Sequence, residues 1–367
     1  MAEIVIHDLV KRFGDFVAVR DLSLAVDDGE FFCLLGPSGC GKTTTLRMIA
    51  GLELPTSGTI RLGPDDVTFR RASARDIAFV FQLFALYPHM NVRANIGFPL
   101  KCDGLARAEI RRRVEETARI LRITHLLGKP VSGLSSGDRQ RVALGRAIVR
   151  QPKAFLMDEP LGALDAEFRH VMCGELRALH DRLGATTVYV THDQLEAMSM
   201  ADKIAVMNDG AVEQLAAPQE IYDRPASLFV ADFIGSPPMN FVNVRAELHR
   251  GDDAVSIDGA DVKVPALRED PPGPDLVLGV RPEHVAFSDA ATFRGIVFSV
   301  EYLGTTQIVT VTTDRGAVKA RLPSTRTVRA GEQVGLVFRP EKLSLFARAS
   351  GRAIRSTLHE TAGGGHG

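Results

Sequence analysis

Gly36-Pro37-Ser38-Gly39-Cys40-Gly41-Lys42-Thr43 fits the pattern G-x-x-x-x-G-K-[ST]. Its glycines let successive backbone N–H groups curl around phosphate oxygens. Lys42 has the reach for β- and γ-phosphates, Thr43 offers a hydroxyl to Mg²⁺, and Thr44 stands next along among the nucleotide contacts. A helix starting here would turn its positive end toward the same anion. Cys40 is expected to be a small filler of the loop. Asp158 and Glu159 follow the apolar run Ala154-Phe155-Leu156-Met157. An acid at a strand tip beside a phosphate loop can hold Mg²⁺ through its water, and a second acid can orient or deprotonate the attacking water. The chemistry these residues could do is the binding and hydrolysis of ATP.

Such residues must be brought together by the fold. Glu30-Phe31-Phe32-Cys33-Leu34-Leu35 reads as a buried parallel strand ending in the glycine-rich turn, and Lys42 to Ala50 as a helix capped by Gly51. Ala154–Met157 and Thr187-Val188-Tyr189-Val190 read as two more buried strands, the second followed by Thr191-His192-Asp193. In open α/β sheets ligands sit at the carboxyl ends of strands, so these polar tips should converge. From about 86 to 150 the pattern is helical, with Ile110, Val114, Ala118 and Leu121 on one face and Arg111-Arg112-Arg113 on the wet side.

A break falls at Gly235-Ser236-Pro237-Pro238. Beyond it come short β-rich runs at 241–244, 276–280, 307–311 and 334–338, the texture of a small barrel or sandwich. Arg281-Pro282-Glu283 and Arg339-Pro340-Glu341 each follow one of these runs, a hint of an internal repeat. The expected organisation is a nucleotide-binding domain over 1–235 with a helical subdomain at about 86–150, a β-barrel over 236–350, and a disordered tail over 351–367.

The chain has 367 residues, 45% of them apolar and 24% charged, with a formal net charge of −1. That suits two globular domains. The missing basic surplus argues against nucleic acid as a partner. No stretch reaches the roughly 18 uninterrupted apolar residues of a membrane helix, and the N-terminus does not read as a signal peptide. Cys33, Cys40, Cys102 and Cys173 form no CxxC pair, so free thiols in a reducing compartment are expected.

Leu134-Ser135-Ser136-Gly137-Asp138-Arg139-Gln140-Arg141-Val142-Ala143-Leu144-Gly145-Arg146-Ala147 resembles the signature motif of ABC-transporter ATPases, commonly LSGGQ and a QRVALARA-like continuation. Phe81-Gln82 is similar to that family's Q-loop, Leu161-Gly162-Ala163-Leu164-Asp165 to its D-loop, and His192 to its switch histidine. Phe13 occupies the place of the aromatic that stacks on adenine. These motifs stand in the family's order across residues 1 to about 235. The fold class implied is α/β, a RecA-like P-loop NTPase domain with a helical subdomain, followed by an all-β barrel of the oligonucleotide-binding type.

The resemblance implies a head-to-tail homodimer that sandwiches two ATP molecules, each phosphate loop facing the partner's signature motif. Ser135 and the Gly137 amide would contact the γ-phosphate held by the other chain. Glu159 would be the general base, His192 would grip the γ-phosphate, and Asp165 would work across the interface. Gln82 would couple Mg²⁺ and the attacking water to a membrane partner, with Thr43 and Asp158 completing the metal contacts. Two departures stand out: Ser136 for a glycine and Asp138 for the glutamine. Asp138 suits a helix N-terminus yet brings negative charge near phosphate. Hydrolysis is expected to survive this.

The C-terminal region resembles the regulatory barrel of importer ATPases for sugars and glycerol phosphate, on Gly235–Phe241 and Leu278-Gly279-Val280-Arg281-Pro282-Glu283. Leu86-Tyr87-Pro88-His89-Met90-Asn91-Val92 resembles the same group and would border the groove for a membrane-domain helix. The partners implied are two integral-membrane permease subunits and, indirectly, an extracytoplasmic solute-binding protein. The location implied is peripheral, on the cytoplasmic face of the plasma membrane. Importers of polyamines, ferric iron or sulfate share much of this layout and stay open. So do a non-transport ABC ATPase acting on DNA or ribosomes and a ligand-sensing regulator.

Overall fold

The computed structural model describes residues 2–81, 85–162, 164–257 and 259–360. They form two compact units that part between Pro218 and Gln219.

The first unit opens on β1 (Ile4–Phe13) and β2 (Phe16–Val26), paired antiparallel across a tight turn with Phe13 opposite Phe16. Then come β3 (Phe31–Leu35), α1 (Lys42–Ala50), β4 (Ser57–Leu62), β5 (Asp65–Asp66) and β6 (Ile77–Val80). Helices α2 (Val92–Cys102), α3 (Arg107–Ile120) and α4 (Ser136–Ile148) follow. The unit continues through β7 (Ala154–Asp158), α5 (Ala166–Leu183), β8 (Thr186–Thr191), α6 (Gln194–Met200), β9 (Lys203–Asn208) and β10 (Ala211–Ala216).

Among the described residues one antiparallel sheet runs β2-β1-β4-β5 and a six-stranded sheet runs β10-β9-β3-β8-β7-β6. The larger sheet is parallel from β9 to β6, with β10 antiparallel at its edge. Every residue of β3, β7 and β8 is buried, which is why these strands read as unbroken runs and not as alternating patterns. In register, Leu35 lies opposite Thr191 and Asp158 opposite Val190. The chain therefore leaves three adjacent strands at one edge, delivering Gly36, Glu159 and His192 side by side.

Helices α2, α3 and α4 pack on one another. Val114 and Ala118 are fully buried and Leu121 nearly so. Arg111, Arg112 and Arg113 lie outward, paired with Glu109, Glu115 and Glu116 at helical spacing. That run is a solvated, self-neutralised face.

Helix α7 (Pro218–Asp223) spans the division, and α8 (Leu228–Phe233) belongs to the second unit. Its strands are β11 (Asn240–Arg245), β12 (Ala254–Ile257), β13 (Ala260–Lys263), β14 (Asp275–Val280), β15 (Val285–Phe287), β16 (Arg294–Tyr302), β17 (Thr306–Thr313), β18 (Gly316–Pro323), β19 (Gln333–Phe338) and β20 (Ser344–Ala347). Sheets β11-β14-β20, β12-β13 and β15-β19-β16-β17-β18 share one apolar core that includes Val242, Leu278, Val309 and Leu336.

The two Arg-Pro-Glu turns are structurally alike. Each opens a 3₁₀ turn, Pro282–His284 or Pro340–Lys342, leading from a core strand into a short one. The short strands exchange partners: β15 pairs with β19, and β20 with β14. The arginines differ. Arg281 is buried, donates to the carbonyls of Ala231, Ile234 and Tyr222, and lies over the Tyr222 ring, fastening α7 and α8 to the sheet. Arg339 is exposed. Replacing Arg281 by methionine strands those carbonyls and is expected to cost the second unit about 3 kcal/mol in chemical denaturation. Arg339→Met, the matched control, is expected to stay within about 0.5 kcal/mol of wild type.

The expected disorder from 351 onward needs correction for its first ten residues. Ile354 is 3% exposed and Leu358 9%, so both fill apolar space in the second unit. Ser227 bridges Arg352, Leu267 bridges Ser356, and Arg268 binds the Glu360 carboxylate at 2.5 and 2.7 Å. Residues 361–367 lie outside the described residues. No described helix is long and apolar enough to cross a membrane.

Candidate nucleotide site

The phosphate loop runs from the end of β3 to the start of α1. Gly41 is the N-cap of α1 at φ +99°, and a Cβ there would stand 2.5 Å from the Ala18 carbonyl oxygen. Only glycine fits this position. No side chain caps α1 and its first turn holds no acid, so its N–H groups and positive end remain free for an anion. Lys42 is 4% exposed and donates to the carbonyls of Gly36 and Pro37, both at 2.8 Å. Pro37 and Thr44 are half-buried, while Ser38 and Gly39 lie open to solvent. Cys40 is buried, its sulfur 3.7 Å from Lys42 Nζ, consistent with a packing role.

At the tip of β7, Asp158 is 8% exposed and accepts a 2.8 Å hydrogen bond from Thr43 Oγ1. Burial raises the Asp158 pKa; the Thr43 hydroxyl and the nearby Arg47 and Lys42 charges pull the other way. A hydroxyl and a carboxylate in contact beside an open helix end form a hard-oxygen pair suited to Mg²⁺ shared with phosphates. Both ATP and Mg²⁺ therefore fit the residues present.

Glu159 breaks the strand at once. Its φ is +43°, a left-handed conformation that costs a non-glycine residue about 1 kcal/mol or more and is often stored at functional sites. Its N–H donates to the Val190 carbonyl at 3.0 Å, tying it to β8. Its carboxylate lies 3.2 Å from His192 Nδ1, so two expected site residues meet directly. Asp165 caps α5 by accepting from the Phe168 N–H at 2.9 Å.

Phe13 is 48% exposed at the β1–β2 turn beside Phe16, and Lys11 Nζ stands 4.6 Å from its ring centroid. The same hairpin supplies Ala18, which abuts Gly41. Phe16, opposite Phe13, thus lies two residues from the phosphate loop's packing partner Ala18. Gln82 lies outside the described residues.

Ser135 caps α4 and Ser136 is the helix's first residue. Ser136 does not adopt positive φ, so its side chain introduces no backbone strain. Gly137 is buried against α5: a Cβ on it would lie 2.3 Å from the Phe168 ring.

Sequence reading missed one cluster. The Arg169 guanidinium donates to Asp193 Oδ2 at 2.8 Å and to the Leu164 carbonyl at 2.9 Å, with Nε 3.5 Å from Glu196 Oε1. Glu196 is buried, accepts from Tyr189 and Thr191 hydroxyls, and has its pKa raised by burial. One cation thereby joins the segment before Asp165 to the segment after His192. The available signal was spacing: Arg169 falls one helical turn after Asp165, and Glu196 three residues after the helix-capping Asp193.

A P-loop, a strand-end acid pair and a histidine on the neighbouring strand, all on a parallel sheet beside a helical cluster, define an ATP-binding cassette. The ABC transporter family model matches residues 19–162, the MalK OB fold domain model 235–285 and the TOBE domain model 278–346. A trehalose/maltose import ATP-binding protein of Thermococcus litoralis is 46% identical over 96% of this chain and 100% of its own length. An sn-glycerol-3-phosphate import ATP-binding protein of Agrobacterium fabrum is 45% identical over 97% of this chain and 95% of its own. The dimeric structure of a bacterial ABC transporter cassette aligns with TM-score 0.53 at 30% identity, covering 59% of this chain and 98% of that one.

This chain belongs to the ATP-binding subunits of ABC transporters, in the group that carries a MalK-type OB fold and a TOBE domain. It is an ABC-type ATPase whose ligands are ATP and Mg²⁺. Subunits of this kind work as dimers with membrane permease subunits.

Proposed function

We propose that this chain powers an importer for a sugar, polyol or glycerol-phosphate-like solute from the cytoplasmic face of the membrane, with an extracytoplasmic solute-binding protein as its indirect partner. The observation that carries the solute class is full-length similarity: relatives named for trehalose, maltose and sn-glycerol-3-phosphate import match both the cassette and the β-rich unit. Solute uptake by cells carrying Glu159→Gln in this chain tests it. Loss of sugar or glycerol-phosphate uptake is expected. A selective loss of polyamine, ferric iron or sulfate uptake would overturn the assignment.

In this reading the α1 N-terminus and Lys42 bind the ATP phosphates, and Thr43, Asp158 and Gln82 hold Mg²⁺, which when bound neutralises charge on the β- and γ-phosphates. Glu159 accepts a proton from the attacking water. The His192 contact fixes the Glu159 carboxylate, and His192 grips the γ-phosphate. Ser135 and the Gly137 amide address the γ-phosphate of the ATP bound by the other chain. Asp165 works across that interface, and Arg169 relates its position to His192. Closure of two chains then assembles each site, and hydrolysis releases it.

Phe13 stacks on adenine in this scheme. Phe13→Ala is expected to weaken ATP binding about tenfold while leaving inorganic tripolyphosphate affinity unchanged. Equal losses for both ligands in a calorimetric titration would remove the stacking role.

A further inference from the structure

Asp138 is engaged with Ser135 on both sides of the hydroxyl. Ser135 Oγ accepts from the Asp138 N–H at 3.2 Å and donates to Asp138 Oδ2 at 2.9 Å. The proton that Ser135 would offer a phosphate oxygen is therefore already given to a carboxylate of its own chain. The nearest cation, Arg141 NH1, is 3.7 Å from Asp138 Oδ1, longer than a hydrogen bond. Arg141 makes its close bonds instead to Glu175 of α5, through Nε at 3.2 Å and NH2 at 3.1 Å to both carboxylate oxygens. Two acids share one base, so the cluster keeps a net negative charge. It sits in the first turn of α4, the end of a helix that favours an anion. The side chains are 28%, 20% and 34% exposed, so solvent screens this charge only in part.

We infer that Asp138 is a positioning residue that holds Ser135 away from incoming phosphate and thereby sets the ATP concentration at which two chains close. This rests on the reading above that the start of α4 meets the nucleotide of the partner. Asp138 takes in advance the hydrogen bond a γ-phosphate would receive: its carboxylate accepts from the Ser135 hydroxyl and places negative charge in the first turn of α4. For Ser135 to bind phosphate, its hydroxyl must turn from Asp138 Oδ2 and the carboxylate must move toward Arg141, against the pull of Glu175 on that same guanidinium. ATP must displace an internal anion, and more of it is needed than if residue 138 were neutral.

A purely structural role predicts the opposite sign. An acid in the first turn stabilises a helix, so an Asp138 that only stabilises α4 would, on removal, lower both stability and function. The inference predicts lower melting temperature together with tighter response to ATP.

The test is ATP turnover by the full-length chain as a function of ATP concentration, with melting temperature measured in parallel. Asp138→Asn and Asp138→Gln should lower the half-saturating ATP concentration roughly three- to tenfold, with maximal turnover little changed. Asp138→Glu, which keeps the charge, should stay near wild type. Ser135→Ala should raise half-saturation more in the Asp138→Asn background than in wild type, since a neutral amide oxygen holds the hydroxyl more weakly than a carboxylate and phosphate can then compete for it. Raising ionic strength should narrow the gap between wild type and Asp138→Asn. Unchanged or raised half-saturation in both neutral variants, each folded by its melting curve, overturns the inference. Ser135→Arg separates the two levels. If it abolishes the ATP response while both Asp138 variants behave as wild type, the composite site stands and the role of Asp138 falls. If it changes nothing in either background, the start of α4 does not meet nucleotide, and both fall together.

Discussion

Glu159→Gln is expected to retain ATP binding while lowering turnover by about 10²–10⁴-fold, the range that removal of a general base commands. Glutamine matches the volume of glutamate, so the left-handed backbone at φ +43° and the Glu159 N–H bond to Val190 persist. What disappears is the capacity to take a proton, together with the charged contact to His192 Nδ1 at 3.2 Å. Asp158 cannot substitute: it is buried and engaged by Thr43 Oγ1. Single-turnover kinetics with and without excess ATP measure the two effects separately. If turnover falls less than tenfold, Glu159 is not the base, and the Glu159–His192 contact is a structural pair only.

Gly137→Ala is expected to lower turnover by about one to two orders of magnitude, for a reason distinct from glycine's usual freedom of φ. Gly137 lies inside α4 in ordinary helical conformation, so backbone geometry does not require it. Its neighbour does. A Cβ would stand 2.3 Å from two atoms of the Phe168 ring, and Phe168 lies in the first turn of α5, its N–H held by the Asp165 cap. Overpacking of this kind costs about 1–3 kcal/mol, which falls either on the start of α4 or on the Asp165 segment. In the proposed closed dimer, both are surfaces through which one chain addresses the other. Phe168→Leu in the same chain should recover part of the lost turnover by vacating the space. A Gly137→Ala chain with full turnover, or one that Phe168→Leu fails to help, would show that close α4–α5 contact at Gly137 is dispensable.

The phosphate loop, the Asp158-Glu159 pair and the strands beneath them were legible because each is encoded locally. Apolar runs of four to six residues, too short for a helix and bounded by glycine or acid, read as buried strands with polar tips, and β3, β7 and β8 are buried throughout. What escaped reading depends on contacts between distant segments. Arg169 and Glu196 carry no motif of their own; their meaning comes from meeting Leu164 and Asp193 in space. Arg281 and Arg339 share the same tripeptide, yet only Arg281 is covered by the α7–α8 segment. Residues 351–360 carry no periodicity that would mark them as ordered, yet Ile354 and Leu358 are buried. Asp138 was readable as a charge near phosphate, whereas its hold on Ser135 needed coordinates.

In the proposed mechanism each ATP site is completed by a second chain, the phosphate loop of one meeting the α4 start of the other. Ser38 and Ser136 are both exposed, which makes them suitable cross-linking positions. In a background with the native cysteines replaced, one population carries Ser38→Cys and a second, differently tagged, carries Ser136→Cys. Mixed and treated with a short bifunctional thiol reagent, they should form a doubly tagged covalent dimer that increases with ATP and Mg²⁺ and is suppressed in Lys42→Ala chains. ATP binding without any doubly tagged product would contradict the composite site.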